Sequence, residues 1–272
     1  MPELPEVETV RRGIEPHVVG RRLTAVQVRD RRLRWPIPAD LEPRLQGRRI
    51  DQVQRRAKYL LLLLDNGDRL LLHLGMSGRL WVLDRHTPTV KHDHVDLELD
   101  SGQLLRFHDP RRFGAVLLWA ANEPDHLLLR HLGPEPFDPA FNGDYLYSLS
   151  RGRTAAVKNF IMDGQVVVGA GNIYAAEALF RCRIRPGRAA GRVTRAEYTG
   201  LAARIREVLE AAIVQGGTTL KDFAGANGES GYFQQDLYVY GRQGLPCRHC
   251  QTLIRRVVIG QRASCYCPAC QR

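Results

Sequence analysis

The chain begins Met-Pro-Glu-Leu-Pro-Glu, and its second residue is a candidate nucleophile. Once Met1 is removed, Pro2 carries a free secondary amine; an α-amino group titrates near pH ~8, so a useful fraction is neutral at physiological pH. A neutral amine attacks carbonyl-like carbons to give a Schiff base, here an iminium. Glu3 and Glu6 lie close enough in sequence to act as acids, bases or electrostatic stabilisers. The same residues also fit an ordinary helix start, because Pro5 suits a first turn and acidic residues suit a helix N-terminus. By themselves they leave both interpretations open.

A second group of reactive residues lies near the C-terminus, where four cysteines follow a C-x2-C-x16-C-x2-C spacing: Cys247, Cys250, Cys267 and Cys270. This spacing is typical of a structural zinc site, since each pair forms a tight turn that directs two thiolates at one tetrahedral ion. Redox pairs and an iron–sulfur centre are the alternatives. A closed site with four cysteine ligands has no open coordination position, so the ion would be structural. Cys265 is a competing ligand.

The charge balance predicts a polyanionic partner. The 272 residues include 40 basic and 29 acidic side chains, a formal net charge of +11, which is expected of a nucleic-acid binder. A protein that binds acidic proteins or lipids is the alternative. Only four basic residues are lysines, which makes each a candidate for a specific role: Lys58, Lys91, Lys158 and Lys221. We expect no membrane partner and a cytoplasmic location, because the sequence has no bilayer-length apolar run and its start lacks a signal-peptide core.

The elements that must position these residues follow from periodicity. Apolar residues recur at helical spacing from Leu4 to Val19. Between residues 23 and 119 the pattern changes to short apolar or alternating runs, and Asn66-Gly67 is a strong hairpin-turn dipeptide. Roughly eight strands predict an antiparallel sandwich or barrel-like domain. The strands we assign are 23–28, 50–57, 59–64, 69–74, 94–99, 104–108 and 114–119.

A proline-rich break at 131–136 separates this domain from a helical region. Helices are predicted over 154–162, 171–181 and, after a capping box at Thr194, to about 215. The pattern of the cysteine module predicts two strands, 253–259 and 263–266, with Arg262 at the turn. We therefore expect domains at 1–133, 134–236 and 237–272.

Several separated blocks together resemble one family. The chain carries MPELPEVET at 1–9, QRRAKYL at 54–60, HLGMSG at 73–78, DPRRFG at 109–114, GAGNIY at 169–174 and the terminal four-cysteine module. This combination resembles the bacterial formamidopyrimidine-DNA glycosylases, which repair 8-oxoguanine. The resemblance implies an α+β multidomain fold with an N-terminal antiparallel β-sandwich, a helix–two-turn–helix domain and a zinc-finger hairpin.

The resemblance also implies roles for the residues at the start. Pro2 would attack C1′ of the damaged nucleotide, and β,δ-elimination would follow. Glu3 would be the general acid that opens the sugar ring, and Glu6 would support later proton transfers. Lys58 and Arg262 would contact the phosphates and assist catalysis.

Three further residues are similar to the family's intercalating group: Met76, Arg111 and Phe113. A base inside a duplex stack is out of reach, so the nucleotide must flip out, and apolar wedges between base steps help this. The alternative is that Met76 and Phe113 are core residues, as is usual for their types. Their Gly-flanked loop sequences favour exposure.

The remaining implied DNA contacts are Asn172, His73, His92, Tyr240 and Lys158. Asn172 opens a predicted helix, whose N-terminus can bind phosphate. The segment Lys221–Phe233 matches the family's mobile loop over the flipped base. The implied partner is duplex DNA with oxidised purines, bound by a monomer that holds one structural Zn2+.

Two rival functions remain. One is an endonuclease VIII-like glycosylase for oxidised pyrimidines; the block with Arg111 and Phe113 and the long 221–233 segment favour the purine branch. The other is a non-catalytic damage-sensing module, which the presence of Pro2, Glu3 and Lys58 disfavours.

Overall fold

The structure is a computed structural model that describes residues 2–216 and 237–272. These residues fall into two compact units, one formed by 2–130 and the other by 131–215 with 237–272. In the described part of the chain, no helix has the length and apolar character needed to cross a membrane. The state of Met1 and the predicted loop Lys221–Phe233 lie outside the described residues.

The first unit contains two four-stranded antiparallel sheets and two helices. The sheets have strand orders β1-β6-β7-β5 and β2-β3-β4-β8. The elements are α1 (Leu4–Val18), β1 (Leu23–Val28), α2 (Leu41–Leu45), β2 (Ile50–Arg56), β3 (Tyr59–Leu64), β4 (Arg69–His73), β5 (Arg79–Asp84), β6 (Asp93–Leu99), β7 (Gln103–His108) and β8 (Ala115–Trp119).

One apolar core lies between the two sheets and α1, which confirms the predicted sandwich. Strand β3 explains why its sequence does not alternate. Leu60, Leu62 and Leu64 face the main core, whereas Leu61 packs with Leu71 and Trp119 in a second cluster on the opposite face. A strand buried on both faces has a continuous apolar run as its sequence.

Strand β5 and helix α2 were absent from the sequence prediction. The signal for β5 was present: Leu80 and Val82 alternate into the core, while Trp81 points away and stacks on His108. Helix α2 has five residues, and only Leu41 and Leu45 are buried. That pattern is too short to identify from periodicity.

The second unit is helical, with a hairpin at its C-terminal end. Its elements are α3 (Gly143–Ser150), α4 (Val157–Met162), α5 (Asn172–Arg181), a 3-10 turn (Ala190–Arg192), α6 (Arg195–Val214), β9 (Arg255–Ile259) and β10 (Arg262–Tyr266). Helix α3 was not predicted. Helix α4 begins later than expected, because Ala156 is extended and bridges to Ala189. Helix α6 begins at the predicted Thr194 capping box.

The hairpin is shorter than predicted at its start and tighter at its turn. Leu253 bridges to Pro246 and stays outside β9. Gly260 and Gln261 both have positive φ, 54° and 61°. They form a two-residue turn of the kind that joins tightly paired strands. Arg262 therefore lies in β10, paired with Ile259, and not at the tip itself.

Candidate functional site

The start of α1 combines a helix cap with two buried carboxyl groups. Glu3 is the residue before the helix, and its backbone N–H donates to Glu6 Oε2 at 2.8 Å. Pro5 lies in the first turn, as predicted. Glu3 and Glu6 are 4% and 5% exposed, while Pro2 next to them is only half-buried. The two interpretations of this segment are therefore compatible, because the helix cap itself holds the carboxylates beside an accessible Pro2.

Lys58 and His73 come from neighbouring strands of the β2-β3-β4-β8 sheet. Lys58 precedes β3 in a tight turn where Ala57 has a φ of 54°. His73 ends β4, opposite Tyr59, and both side chains are half-buried. The His73 ring lines a cavity of about 160 Å³ that Phe113 also lines.

His73 is electrically neutral at physiological pH. Burial and then the charge of Lys58 lower its pKa to about 4. Its Nδ1 accepts the Gly75 backbone N–H at 3.0 Å, which assigns the remaining proton to Nε2. The ring can donate one hydrogen bond to a phosphate oxygen without adding a charge.

The loops at 74–78 and 109–114 present the three predicted wedge residues, Met76, Arg111 and Phe113. Met76 and Phe113 are 43% and 42% exposed, so neither is a core residue. The Arg111 guanidinium carbon lies 5.0 Å from the centre of the Phe113 ring. The loops touch at Gly75, where a Cβ would lie 2.4 Å from the Phe113 carbonyl carbon. The contact therefore requires glycine.

His92 lies in the loop before β6 and is half-buried, with a φ of 78°. Desolvation and the neighbouring Lys91 lower its pKa, so the imidazole is neutral at physiological pH. Its ring lies near those of His94 and His108.

In the second unit, Lys158 is fully buried and does not lie on a surface that DNA can reach directly. Its ammonium group donates to Asn172 Oδ1 and Ser264 Oγ, both at 2.6 Å, and to the Ala263 carbonyl at 3.3 Å. These bonds connect helix α4 to the start of α5 and to β10. The prediction of a direct DNA contact therefore needs correction: the ammonium group is directed inwards.

Asn172 is the first residue of α5, and its side-chain amide also donates to the Ala263 carbonyl at 3.3 Å. Arg262, the neighbour of Ala263, is exposed. The predicted phosphate contacts Asn172 and Arg262 are thus brought together within this unit.

Glu177, which the sequence pattern does not single out, fixes the backbone at Tyr240. The Glu177 carboxylate is 2% exposed and accepts the backbone N–H groups of Tyr238, Val239 and Tyr240 at 2.9–3.0 Å. A signal for this role existed, because Glu177 sits at helical spacing from Ile173 and Phe180 within the apolar stripe of α5. An acidic residue in such a stripe needs buried donors.

The four predicted zinc ligands converge. Their sulfur atoms all lie within 4.8 Å of one another. Cys250 Sγ is 3.5 Å from Cys267 Sγ and 3.4 Å from Cys270 Sγ, and Cys247 Sγ is 4.0 Å from Cys270 Sγ. Zinc–sulfur bonds of about 2.3 Å place the corners of a tetrahedron about 3.8 Å apart, so this donor set fits the ion.

The competing ligand Cys265 does not join this site, and neither does His249, which lies between Cys247 and Cys250 in the sequence. Cys265 packs into the apolar cluster that includes Phe180 and Val239. The His249 ring packs edge-on against Phe180, with ring centres 5.1 Å apart.

Comparisons with known proteins agree over the whole chain. Sequence profiles match the formamidopyrimidine-DNA glycosylase N-terminal domain at residues 1–116, its H2TH domain at 132–224 and a zinc finger found in FPG and IleRS at 244–272. Formamidopyrimidine-DNA glycosylases of Pseudomonas putida and Thioalkalivibrio sulfidiphilus are each 60% identical over 272 residues, covering 100% of both chains.

Solved structures of similar proteins share the fold. A variant of Lactococcus lactis FPG in complex with Fapy-dG-containing DNA has a TM-score of 0.91 at 31% identity, with 100% of both chains covered. The MutM (FPG) protein of Thermus thermophilus has a TM-score of 0.87 at 38% identity, covering 99% of this chain and 98% of that one. These matches, with the clustered sulfurs, confirm the predicted three-part fold and one structural Zn2+.

Proposed function

The chain belongs to the formamidopyrimidine-DNA glycosylase family, and on that premise we propose that it is a bifunctional DNA glycosylase and AP lyase of base excision repair. Its substrate is duplex DNA containing 8-oxoguanine or formamidopyrimidines. The observation that carries the proposal is the start of α1, where an accessible Pro2 lies beside the buried carboxyl groups of Glu3 and Glu6.

The chemistry begins with Pro2 as the N-terminal residue, after removal of Met1. Its nitrogen forms a bond to C1′ while the C1′–N bond to the damaged base breaks and the base leaves with a proton. Glu3 donates a proton to the sugar ring oxygen, and ring opening yields the iminium. Successive β- and δ-eliminations then release the two phosphates, with Glu6 assisting the proton transfers.

The wedge residues expose the lesion to this centre. Met76 and Phe113 enter the base stack, and the planar Arg111 cation occupies the space that the flipped nucleotide leaves. Lys58, His73 and His92 contact phosphates of the same duplex, Lys58 with a charge and the two neutral histidines with hydrogen bonds.

The second unit supplies further phosphate contacts. Arg262 offers a charged fork and assists catalysis by fixing the strand, Asn172 lies at a helix N-terminus, and Tyr240 offers a hydroxyl group. Lys158 acts from behind this surface. Its bonds to Asn172 and Ser264 fix α5 against β10 and so position Asn172 beside Arg262.

Cys247, Cys250, Cys267 and Cys270 hold the zinc ion, which supplies folding free energy to the hairpin that carries Arg262. We assign the catalytic part to residues 1–133, the helical part to 134–236 and the zinc finger to 237–272. Because its substrate is chromosomal DNA, we place the protein in the cytoplasm, associated with the nucleoid, and as a monomer.

Trapping with borohydride tests this proposal. Purified protein is incubated with an 8-oxoguanine:cytosine duplex or with a matched duplex that carries an oxidised pyrimidine, and the adduct is mapped by peptide sequencing. We expect an adduct at Pro2 that forms preferentially with the purine lesion. Preference for the pyrimidine would support the endonuclease VIII-like alternative, and absence of an adduct on both duplexes would support a non-catalytic module.

A further inference from the structure

A buried carboxylate lies behind the two wedge loops. Asp109 is 0% exposed, although its loop carries the exposed Arg111 and Phe113. Its Oδ2 accepts the Gly114 backbone N–H at 2.8 Å, and its Oδ1 accepts the Arg111 backbone N–H at 3.3 Å. One carboxylate therefore fixes the backbone on both sides of Phe113.

Ser77 connects this carboxylate to the other loop. Its hydroxyl donates to Asp109 Oδ1 at 2.6 Å and accepts the Arg111 backbone N–H at 3.2 Å. Ser77 directly follows Met76, so these bonds join the two loops close to the wedge side chains. The direct packing of Gly75 on Phe113 adds a second point of contact.

The same aspartate is fixed to the sandwich. Its backbone carbonyl is hydrogen-bonded to His94 Nε2 at 2.8 Å, and His94 is a buried residue of β6. The assembly of Asp109, Ser77 and His94 thus joins both loops to the sheet β1-β6-β7-β5.

From this geometry we propose that Asp109 and Ser77 are positioning residues that make Met76, Arg111 and Phe113 insert into DNA as one rigid wedge. The inference rests on the proposed function. Unstacking a base step costs free energy, so the restacking bases tend to displace the inserted side chains. If the two loops could move independently, the inserted side chains would shift and the bases would restack. The hydrogen bonds of both loops to one buried carboxylate fix the position of each loop relative to the other.

The test compares two substrates. An intact 8-oxoguanine:cytosine duplex requires base extrusion, while a duplex with a preformed abasic site has no damaged base to extrude. We expect Ser77→Ala to lower the single-turnover excision rate on the lesion about tenfold, the effect of one buried hydrogen bond to a charged group. Cleavage at the abasic site should change less than about twofold. Asp109→Asn should act in the same direction, because the amide cannot accept at both oxygen positions.

The matched controls are Ser101→Ala and Asp100→Asn, which alter exposed residues in the β6–β7 turn of the same unit. Ser77→Thr keeps the hydroxyl and should restore most of the lost rate. Fluorescence of 2-aminopurine placed beside the lesion should report slower unstacking for Ser77→Ala.

A background without the wedge separates positioning from a general loss of structure. In the triple variant Met76→Ala/Arg111→Ala/Phe113→Ala, adding Ser77→Ala should have no further effect on excision. An equal tenfold loss in that background, or equal losses on both substrates, would overturn the inference.

The controls also separate this inference from the proposed function. If Met76→Ala and Phe113→Ala leave excision unchanged, the proposed wedge itself fails. If those two variants impair excision but Ser77→Ala and Asp109→Asn do not, the proposed function stands, and the positioning role of Asp109 and Ser77 is refuted.

Discussion

At the scale of single residues, Glu6 combines a structural role at the start of α1 with a proposed role in catalysis. Its carboxylate accepts the Glu3 backbone N–H, which a neutral acceptor can also do, whereas the proposed mechanism also needs it to transfer protons, which an amide cannot do. The helix start and the proposed catalytic centre therefore use the same side chain through different properties, and a substitution that changes only one of them can tell the two apart.

Glu6→Gln keeps the accepting oxygen and removes the charge. Because the cap hydrogen bond is retained, we expect Glu6→Gln to lower the free energy of unfolding less than Glu6→Ala does, while the rate of strand cleavage falls roughly 100-fold or more, as for a lost acid–base group. Glu6→Ala should also lose about 1 kcal/mol of stability with the cap. Urea unfolding and single-turnover kinetics measure the two effects, with the more exposed Glu15→Gln on the same helix as control. Equal stability losses for both Glu6 variants would contradict the separation.

His73 predicts a pH dependence of stability. Its pKa is lowered to about 4 in the folded protein, below the ordinary value of 6.5. Above pH ~6.5 the ring is neutral in both states; as the pH falls towards 4 the unfolded chain binds the proton first, so stability is lost in that window. Between pH 7 and 5 this contribution amounts to roughly 2 kcal/mol.

His73→Asn keeps an acceptor for the Gly75 N–H and does not titrate there. Urea unfolding at pH 7 and 5 should show a smaller loss of stability on acidification for this variant than for the parent protein. A loss of the same size in both proteins would assign the acid sensitivity to other groups.

At the scale of elements, buried polar side chains connect segments that sequence patterns treat separately. Lys158 joins α4, α5 and β10, and Glu177 fixes residues 238–240 to α5. Both side chains lie inside helices whose apolar periodicity was recognised. Periodicity identifies which face of a helix is buried, but it does not show which distant backbone groups that face must satisfy.

Glu177→Ala would leave three backbone N–H groups without their acceptor. We expect a loss of about 3 kcal/mol or more in stability, because unpaired buried donors are costly. Hydrogen exchange at Tyr238, Val239 and Tyr240 should accelerate selectively. Glu210→Ala, an exposed position on α6, is the control. Unchanged exchange at these three amides would refute the anchoring role.

The zinc hairpin gives a prediction about ligand identity. Cys250→Ser should lose the metal, whereas Cys265→Ser should retain one zinc per chain, because Cys265 packs in the apolar cluster and not at the ion. Elemental analysis of the purified variants measures the zinc content.

Removal of zinc from the parent protein with a chelator should abolish tight DNA binding, because the hairpin loses the folding free energy that the ion supplies. The β-sandwich of residues 2–130 should stay folded, and near-UV circular dichroism measures this.

At the scale of the whole molecule, the net charge of +11 predicts DNA binding that weakens with salt. The two proposed cationic phosphate contacts, Lys58 and Arg262, would by themselves give about a tenfold loss of affinity between about 50 and 200 mM salt. Arg262→Ala should reduce the slope of log K against log salt by about 0.9. Arg48→Ala, an exposed residue before β2, should leave the slope unchanged. Fluorescence anisotropy with a lesion duplex gives both slopes. Equal slopes for the two variants would show that Arg262 does not contact a DNA phosphate.

Much of the architecture was predictable because it depends on local patterns. Alternation, the Asn66-Gly67 turn and the Thr194 capping box each act over a few residues, and the structure contains the elements that they predict. Helix α2 was not predicted because five residues carry few periodic positions. Helix α3 was not predicted because Leu146 is the one large apolar residue among its buried positions. The start of α4 was misplaced because a long-range bridge between Ala156 and Ala189 keeps the preceding backbone extended.

The sequence by itself determined the chemical inventory: an N-terminal Pro-Glu pair, four paired cysteines, an arginine-rich charge and exposed-loop candidates for a wedge. These are properties of residue type and spacing, which need no partner from elsewhere in the chain. Only the tertiary structure decided which polar groups are inside. It buries Lys158, which bonds Ser264 of β10, and it buries Asp109, which bonds Ser77 of the other wedge loop. Sequence patterns do not show this, because these hydrogen-bond partners are far apart in sequence.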